Sequence, residues 1–251
     1  MRPPRAFVTA LVVAVALTGC SGSEREPTAP AGIPREIING EPCPLAGPSL
    51  PPTAGCETSV TGDFDGDGED DRATVYAELD DDLSPVSWWL RVITDSGELA
   101  DRRLDAGSRF SYPRAVGRAD VQGDGSDELF VKVGDQVYHS GATRVLNMFV
   151  LDGDEVVPVT SDGAPLALRV GGIWRFAEGV ECRRGRMVLL RAETRNTTNT
   201  RWWFSERFYV LEGSRTKLKE RREDVFRIPQ YYDPLLDPFF ELNCGDLSFR
   251  S

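Results

Sequence analysis

The sequence predicts an all-β protein, and three observations carry the prediction. Apolar and polar residues alternate with a period of two, as in Val131-Lys132-Val133 and Phe208-Tyr209-Val210, which is the pattern of half-buried strands. Gly- and Asp-rich turns separate the runs: Asp95-Ser96-Gly97, Asp152-Gly153-Asp154 and Glu212-Gly213-Ser214. These resemble hairpin connections. The chain is also periodic. Asp63 and Asp120 open two similar stretches 57 residues apart, and Trp88-Trp89 recurs at twice that spacing as Trp202-Trp203. Long amphipathic helical periodicity is missing; Thr216 to Val225 reads as one short charged helix.

In chain order, residues 1–19 read as a secretory signal. Arg2 and Arg5 form a basic start, and Ala6 to Leu17 an apolar run too short to span a bilayer permanently. Leu17-Thr18-Gly19-Cys20 resembles the bacterial lipobox. That resemblance implies acylation of Cys20 with more than one chain, enough for a stable anchor. Residues 20–40, rich in Pro, Ser, Thr and Gly, read as a flexible tether. The folded part is expected over residues 41–251. It starts with a Pro/Gly-rich loop that holds Cys43 and Cys56.

Next come two nine-residue stretches, Asp63-Phe64-Asp65-Gly66-Asp67-Gly68-Glu69-Asp70-Asp71 and Asp120-Val121-Gln122-Gly123-Asp124-Gly125-Ser126-Asp127-Glu128. Oxygen-bearing side chains stand at positions 1, 3, 5 and 9. These are Asp63, Asp65, Asp67 and Asp71 in the first, and Asp120, Gln122, Asp124 and Glu128 in the second. Position 7, Glu69 or Ser126, is expected to add a backbone carbonyl. Glycine at position 6 permits the positive φ of a sharply curled loop. Ca²⁺ takes six to eight oxygen ligands, and without a cation such carboxylates repel one another. An EF-hand is excluded, because position 12 is Thr74 or Val131 rather than Glu. Strand-like runs, Ala73-Thr74-Val75-Tyr76 and Leu129-Phe130-Val131, follow the loops instead of helices. A D-x-D-G-D-G-x-x-D loop running into a strand resembles the FG-GAP/VCBS repeat family. That family includes the calcium-bearing blades of integrin-type β-propellers and many bacterial surface proteins. The resemblance implies antiparallel blade-like repeats in a small or partial β-propeller-like domain, with structural Ca²⁺ and no fixed activity.

Three repeats are expected, over about 63–119, 120–176 and 177–236. The stretch matching the loops in the third, Glu178 to Arg186, places arginines where carboxylates are needed, so no Ca²⁺ is expected there. Phe239 to Cys244 reads as a terminal strand.

Cys43, Cys56, Cys182 and Cys244 form an even set in an exported chain, which points to disulfides. The expected pairing is Cys43–Cys56 and Cys182–Cys244; the rival joins Cys43 to Cys244 and Cys56 to Cys182. Zinc is disfavoured, since no Cys-x-x-Cys pair occurs.

The net charge of −11 argues against nucleic acid and anionic lipid as partners. His139, the only histidine, has no Gly-x-Ser-x-Gly nucleophile elbow to serve and reads as a turn residue. Asp233 and Asp237 sit beside prolines and read as turn caps. Of each Trp pair, one ring is expected in the core and the other outward. Asn196-Thr197-Thr198 reads as a polar loop. The function expected is binding or scaffolding at the cell envelope, with an envelope protein or glycan as partner and a lipid anchor to the membrane. The alternative is an envelope hydrolase acting on polysaccharide or peptidoglycan, with Asp233 as acid or base. A two-lobed solute-binding protein is disfavoured, because strands do not alternate with helices.

Overall fold

A computed structural model describes residues 43–105, 112–138, 141–173, 175–183, 185–194, 196, 198, 200–228 and 234–250. All belong to one compact unit, Glu36–Ser251. The signal segment, Cys20, the tether, His139 and Asp233 lie outside the described residues.

The protein is all-β and mainly antiparallel, built from blade-like meanders. The first comprises β1 (Ala54–Gly62), β2 (Asp71–Leu79), β3 (Pro85–Ile93) and β4 (Leu99–Arg103), hydrogen-bonded in that order. Alternation splits its faces. Val75, Ala77, Trp88, Leu90 and Val92 enter the core beneath, while Tyr76 and Trp89 pack on the other side against the loop that leads into β1. That loop is tied by Cys43–Cys56.

The second meander comprises β5 (Arg114–Ala119), β6 (Glu128–Tyr138), β7 (Gly141–Asp152) and β8 (Glu155–Pro158). Its first strand lies against the first strand of the preceding blade. The Ala115 N–H donates to Thr58 Oγ1 at 2.9 Å, and Arg118 Nε donates to the Thr61 carbonyl at 3.0 Å; the partners in each pair are 57 residues apart. Equivalent positions of two successive blades therefore face each other. β6 is covered on both sides: Leu129, Val131 and Val133 join the core shared with the first blade, and Phe130 joins the next core. A strand buried on both faces reads as a continuous apolar run, which explains Leu129-Phe130-Val131.

Two short strands, β9 (Thr160–Ser161) and β10 (Ala164–Pro165), lead to β11 (Leu168–Ile173). The third meander follows: β12 (Phe176–Cys182), β13 (Met187–Thr194), β14 (Arg201–Glu212) and β15 (Arg215–Arg227). β11 pairs with both β7 and β12, so the second and third blades share one continuous sheet. Among the described residues the blades do not close into a ring. Trp202 is buried in the core on the far side of the third blade, and Trp203 is half-buried beneath the Arg201 guanidinium. Each Trp pair thus divides between core and outer face.

The C-terminal segment closes the stack. A 3-10 turn over Pro234–Phe240 packs on β12 at Gly179, where an added Cβ would meet the Pro238 carbonyl oxygen at 2.2 Å. Only glycine permits that approach of backbone to backbone. β16 (Glu241–Cys244) then pairs parallel to β12 and antiparallel to β17 (Leu247–Arg250). Cys182–Cys244 staples β12 to β16. Both disulfides follow the pairing expected from the sequence.

Three expectations are corrected. Thr216 to Val225 is strand, not helix, and lies within β15. A two-residue turn with Gly213 at φ 60° feeds it directly along β14, from Glu212↔Arg215 to Arg201↔Arg227. The neighbouring ladder outweighs the helix preference of its Lys, Glu and Arg residues. Phe239 and Phe240 belong to the 3-10 turn, and the terminal strand begins at Glu241; Pro238, lacking an N–H, suits a turn. Glu178 to Cys182 is strand rather than loop, and after it the backbones of Arg183 and Arg186 exchange two hydrogen bonds.

Candidate metal centre

Both acidic loops join the first strand of a blade to the second, and both are organised by the same hydrogen bonds. In the first, Asp63 Oδ1 accepts from the N–H groups of Gly66 (2.7 Å) and Asp67 (3.1 Å), and Oδ2 accepts from Gly68 (2.9 Å). In the second, Asp120 Oδ1 accepts from Gly123 (2.6 Å) and Asp124 (3.2 Å), and Oδ2 from Gly125 (3.1 Å). Position 5 caps position 7 in each: Glu69 N–H to Asp67 Oδ1, and Ser126 N–H to Asp124 Oδ1. Position 9 reaches back to position 2: Phe64 N–H donates to Asp71 Oδ2 at 2.8 Å, and Val121 N–H to Glu128 Oε2 at 2.6 Å. Phe64 and Val121 are buried as plugs beneath the loops. Gly68 (φ 95°) and Gly125 (φ 101°) turn the chain through the left-handed region that costs other residues about 1–2 kcal/mol.

The loops touch. The Asp127 N–H donates to the Asp63 carbonyl at 2.6 Å, and Asp127 Oδ2 accepts from the Asp63 N–H (3.1 Å) and from Arg118 Nη1 (2.7 Å). The next turn continues the row, with Gly185 close to the Gln122 carbonyl.

The residues fit a hard cation best in the first loop. Carboxylate oxygens of Asp63, Asp65 and Asp67 lie within 4.8 Å of one another, and so do those of Asp65, Asp71 and Asp95. An all-oxygen donor set of this density suits Ca²⁺. Desolvation, followed by the Asp71, Asp67 and Asp63 carboxylates, raises the Asp65 pKa against the lowering effect of the Asp67 N–H. In the second loop the Gln122 amide donates Nε2 to Glu128 Oε1 at 2.9 Å. Glu128 is buried, and desolvation pushes its pKa up to about 7, against the Gln122 and Val121 hydrogen bonds.

Asp95 and Asp127 were not singled out in the sequence. Asp95 sits in the β3–β4 turn and donates its N–H to Asp71 Oδ1 at 3.0 Å. The signal for it is register: Arg72 faces Ile93, so the turn after β3 must fall beside Asp71. Glu69 and Ser126 lie at the loop tips, Glu69 exposed and Ser126 half-buried. Asp237 is exposed and accepts from Arg250 Nη2 at 3.0 Å, an ordinary surface ion pair. Asn196 organises its polar loop by bonding Thr194, Thr198 and Thr200.

No protein-family model matches the chain, and neither a curated protein nor a solved structure matches it. The two disulfides fit an oxidising, extracytoplasmic location. No helix among the described residues is long and apolar enough to cross a membrane.

Proposed function

We propose that this is a lipid-anchored, extracytoplasmic calcium-binding β-repeat protein with a binding or scaffolding role at the cell envelope. The observation that carries the reading is the pair of acidic loops, hydrogen-bonded alike and set side by side at the start of two blades. Ca²⁺ bound there is structural: it neutralises carboxylates that otherwise repel and fixes the geometry of the blade junction. The Leu17-Thr18-Gly19-Cys20 sequence supports the anchor, and the acidic surface supports solubility outside the cell.

Calorimetric titration of the protein with CaCl₂ tests the metal reading. Two sites are expected, with affinities around ~10⁻⁴–10⁻³ M, the range of extracellular modules. The first loop offers four carboxylates against three in the second, so Asp67→Ala abolishes the tighter site and Asp124→Ala the weaker. Loss of the tighter site in Asp124→Ala reverses the ranking, and absence of binding heat removes the metal reading. Incorporation of labelled fatty acid by the wild-type chain but not by Cys20→Ser tests the anchor.

A further inference from the structure

The outer face of the first blade carries an open cleft. Tyr76 and Glu78 on β2, Trp89 and Arg91 on β3, and Asp101 on β4 project from the same face, opposite the core. Tyr76 stands directly across from Trp89, and Arg91 from Asp101. With Pro51 and Thr53 of the disulfide-tied loop as the facing wall, they line an open cleft of about 250 Å³. That is just below the ~300–1,000 Å³ typical of drug-sized ligands.

The cleft is organised in advance. Trp89 Nε1 donates to Ser87 Oγ at 2.9 Å, and Ser87 Oγ donates to Glu78 Oε2 at 2.8 Å. Arg91 grips Asp101 through two parallel bonds, Nε to Oδ1 at 2.8 Å and Nη2 to Oδ2 at 2.7 Å. Its guanidinium lies 5.6 Å from the centre of the Tyr76 ring. Side chains held this way lose little freedom when a ligand arrives. Trp89 is only half-buried, although its N–H is already satisfied. What it offers a ligand is ring surface.

We propose that this cleft binds a neutral sugar ring, as one unit of a glycan. The inference deepens the envelope-binding role proposed above and rests on it. The chemistry selects the occupant. A purely apolar group would strip water from Glu78 and Asp101 and give no hydrogen bond in return. An anion would face both Glu78 and Asp101, with the Arg91 charge already neutralised by the Asp101 carboxylate. A cation would meet the Arg91 guanidinium already lying over Tyr76. A sugar has one flat C–H face for the Trp89 ring and an edge of hydroxyls. Those hydroxyls can donate to the spare lone pairs of Glu78 and Asp101 and accept from Arg91. The size of the cleft suits one ring with its neighbours continuing into solvent.

The test is titration of the full folded chain, in calcium-containing buffer, with the tetrasaccharides of β-linked N-acetylglucosamine, β-linked glucose and α-linked mannose. Calorimetry and ¹⁵N spectra of the indole N–H signals are read together. At least one saccharide is expected to bind with a roughly millimolar Kd and to shift the Trp89 signal while leaving that of Trp203 in place. Trp89→Ala weakens binding at least tenfold, Trp89→Phe retains it, and Trp203→Ala leaves it unchanged. Should Trp89→Ala fail to fold, the indole shifts in the wild-type chain decide. The proposal is overturned if none of the three binds, if binding leaves the Trp89 signal unmoved, or if tetramethylammonium binds in their place. Failure here with Ca²⁺ binding intact removes the cleft alone; saccharide binding without Ca²⁺ binding removes the metal reading alone.

Discussion

Glu128 is where the second loop meets the interior. Its carboxyl is buried in a carboxylate-lined loop, and desolvation raises its pKa from 4.5 to about 7. The folded chain therefore holds this proton more tightly than the unfolded chain does. The stability so gained is complete below the unfolded value near 4.5 and is lost as pH rises through about 7. The shift corresponds to at most about 3 kcal/mol. In EDTA, the melting temperature is expected to fall between pH 5 and pH 8, and Glu128→Gln should flatten that slope. A cation must displace the same proton, so Ca²⁺ affinity at the second loop should drop as pH falls below about 7. A pH slope unchanged in Glu128→Gln would assign it to other groups. At this scale the curl of the two acidic loops was legible, because spacing and glycine placement encode it. Asp95 was not, since its place depends on the register between two strands rather than on local pattern.

At the scale of elements, Asp127 clasps the junction between the first two blades. Asp127 is 6 % exposed; its side chain accepts from both Asp63 N–H and Arg118 Nη1, while Arg118 Nε holds the Thr61 carbonyl. An exposed ion pair contributes between zero and about 1 kcal/mol. Removing a buried acceptor leaves its donors unsatisfied and costs about 1–3 kcal/mol. Asp127→Ala is therefore expected to lower stability in urea by an amount in the second range and to weaken Ca²⁺ binding at the first loop, although Asp127 is no ligand there. A loss confined to the range of exposed pairs, with calcium affinity unchanged, would show the clasp to be ornamental. The clasp was hidden in the sequence, because Arg118 and Asp127 meet Asp63 and Thr61 only once the two blades are packed together. β15 was misread for a related reason. Its charged residues favour helix locally, and the partner strand that overrides them lies across a two-residue turn.

For the whole molecule, the order of layers was legible only in part. Strand content, hairpin turns and cysteine pairing follow from local pattern and from counting. The fusion of two blades by β11 does not, because a strand that pairs with both neighbours carries the same alternation as one that pairs with one. The two disulfides sit in different cores and tie loops of different size. Cys43 and Cys56 are 13 residues apart, and Cys182 and Cys244 are 62 apart. In the chain-entropy account the shorter loop contributes about 3 kcal/mol and the longer about 4 kcal/mol, because a longer loop restricts the unfolded chain more. The longer staple also holds the final hairpin, whose Leu242, Cys244 and Leu247 complete the core between the second and third blades. Cys182→Ser/Cys244→Ser should therefore lose more stability than Cys43→Ser/Cys56→Ser in urea unfolding, by at least about 1 kcal/mol. Hydrogen exchange should find the extra loss at β16, β17 and β12, with the first blade retaining its protection. The reverse ranking would mean that the loop ahead of β1, rather than the C-terminal hairpin, closes the part of the core on which the stack depends.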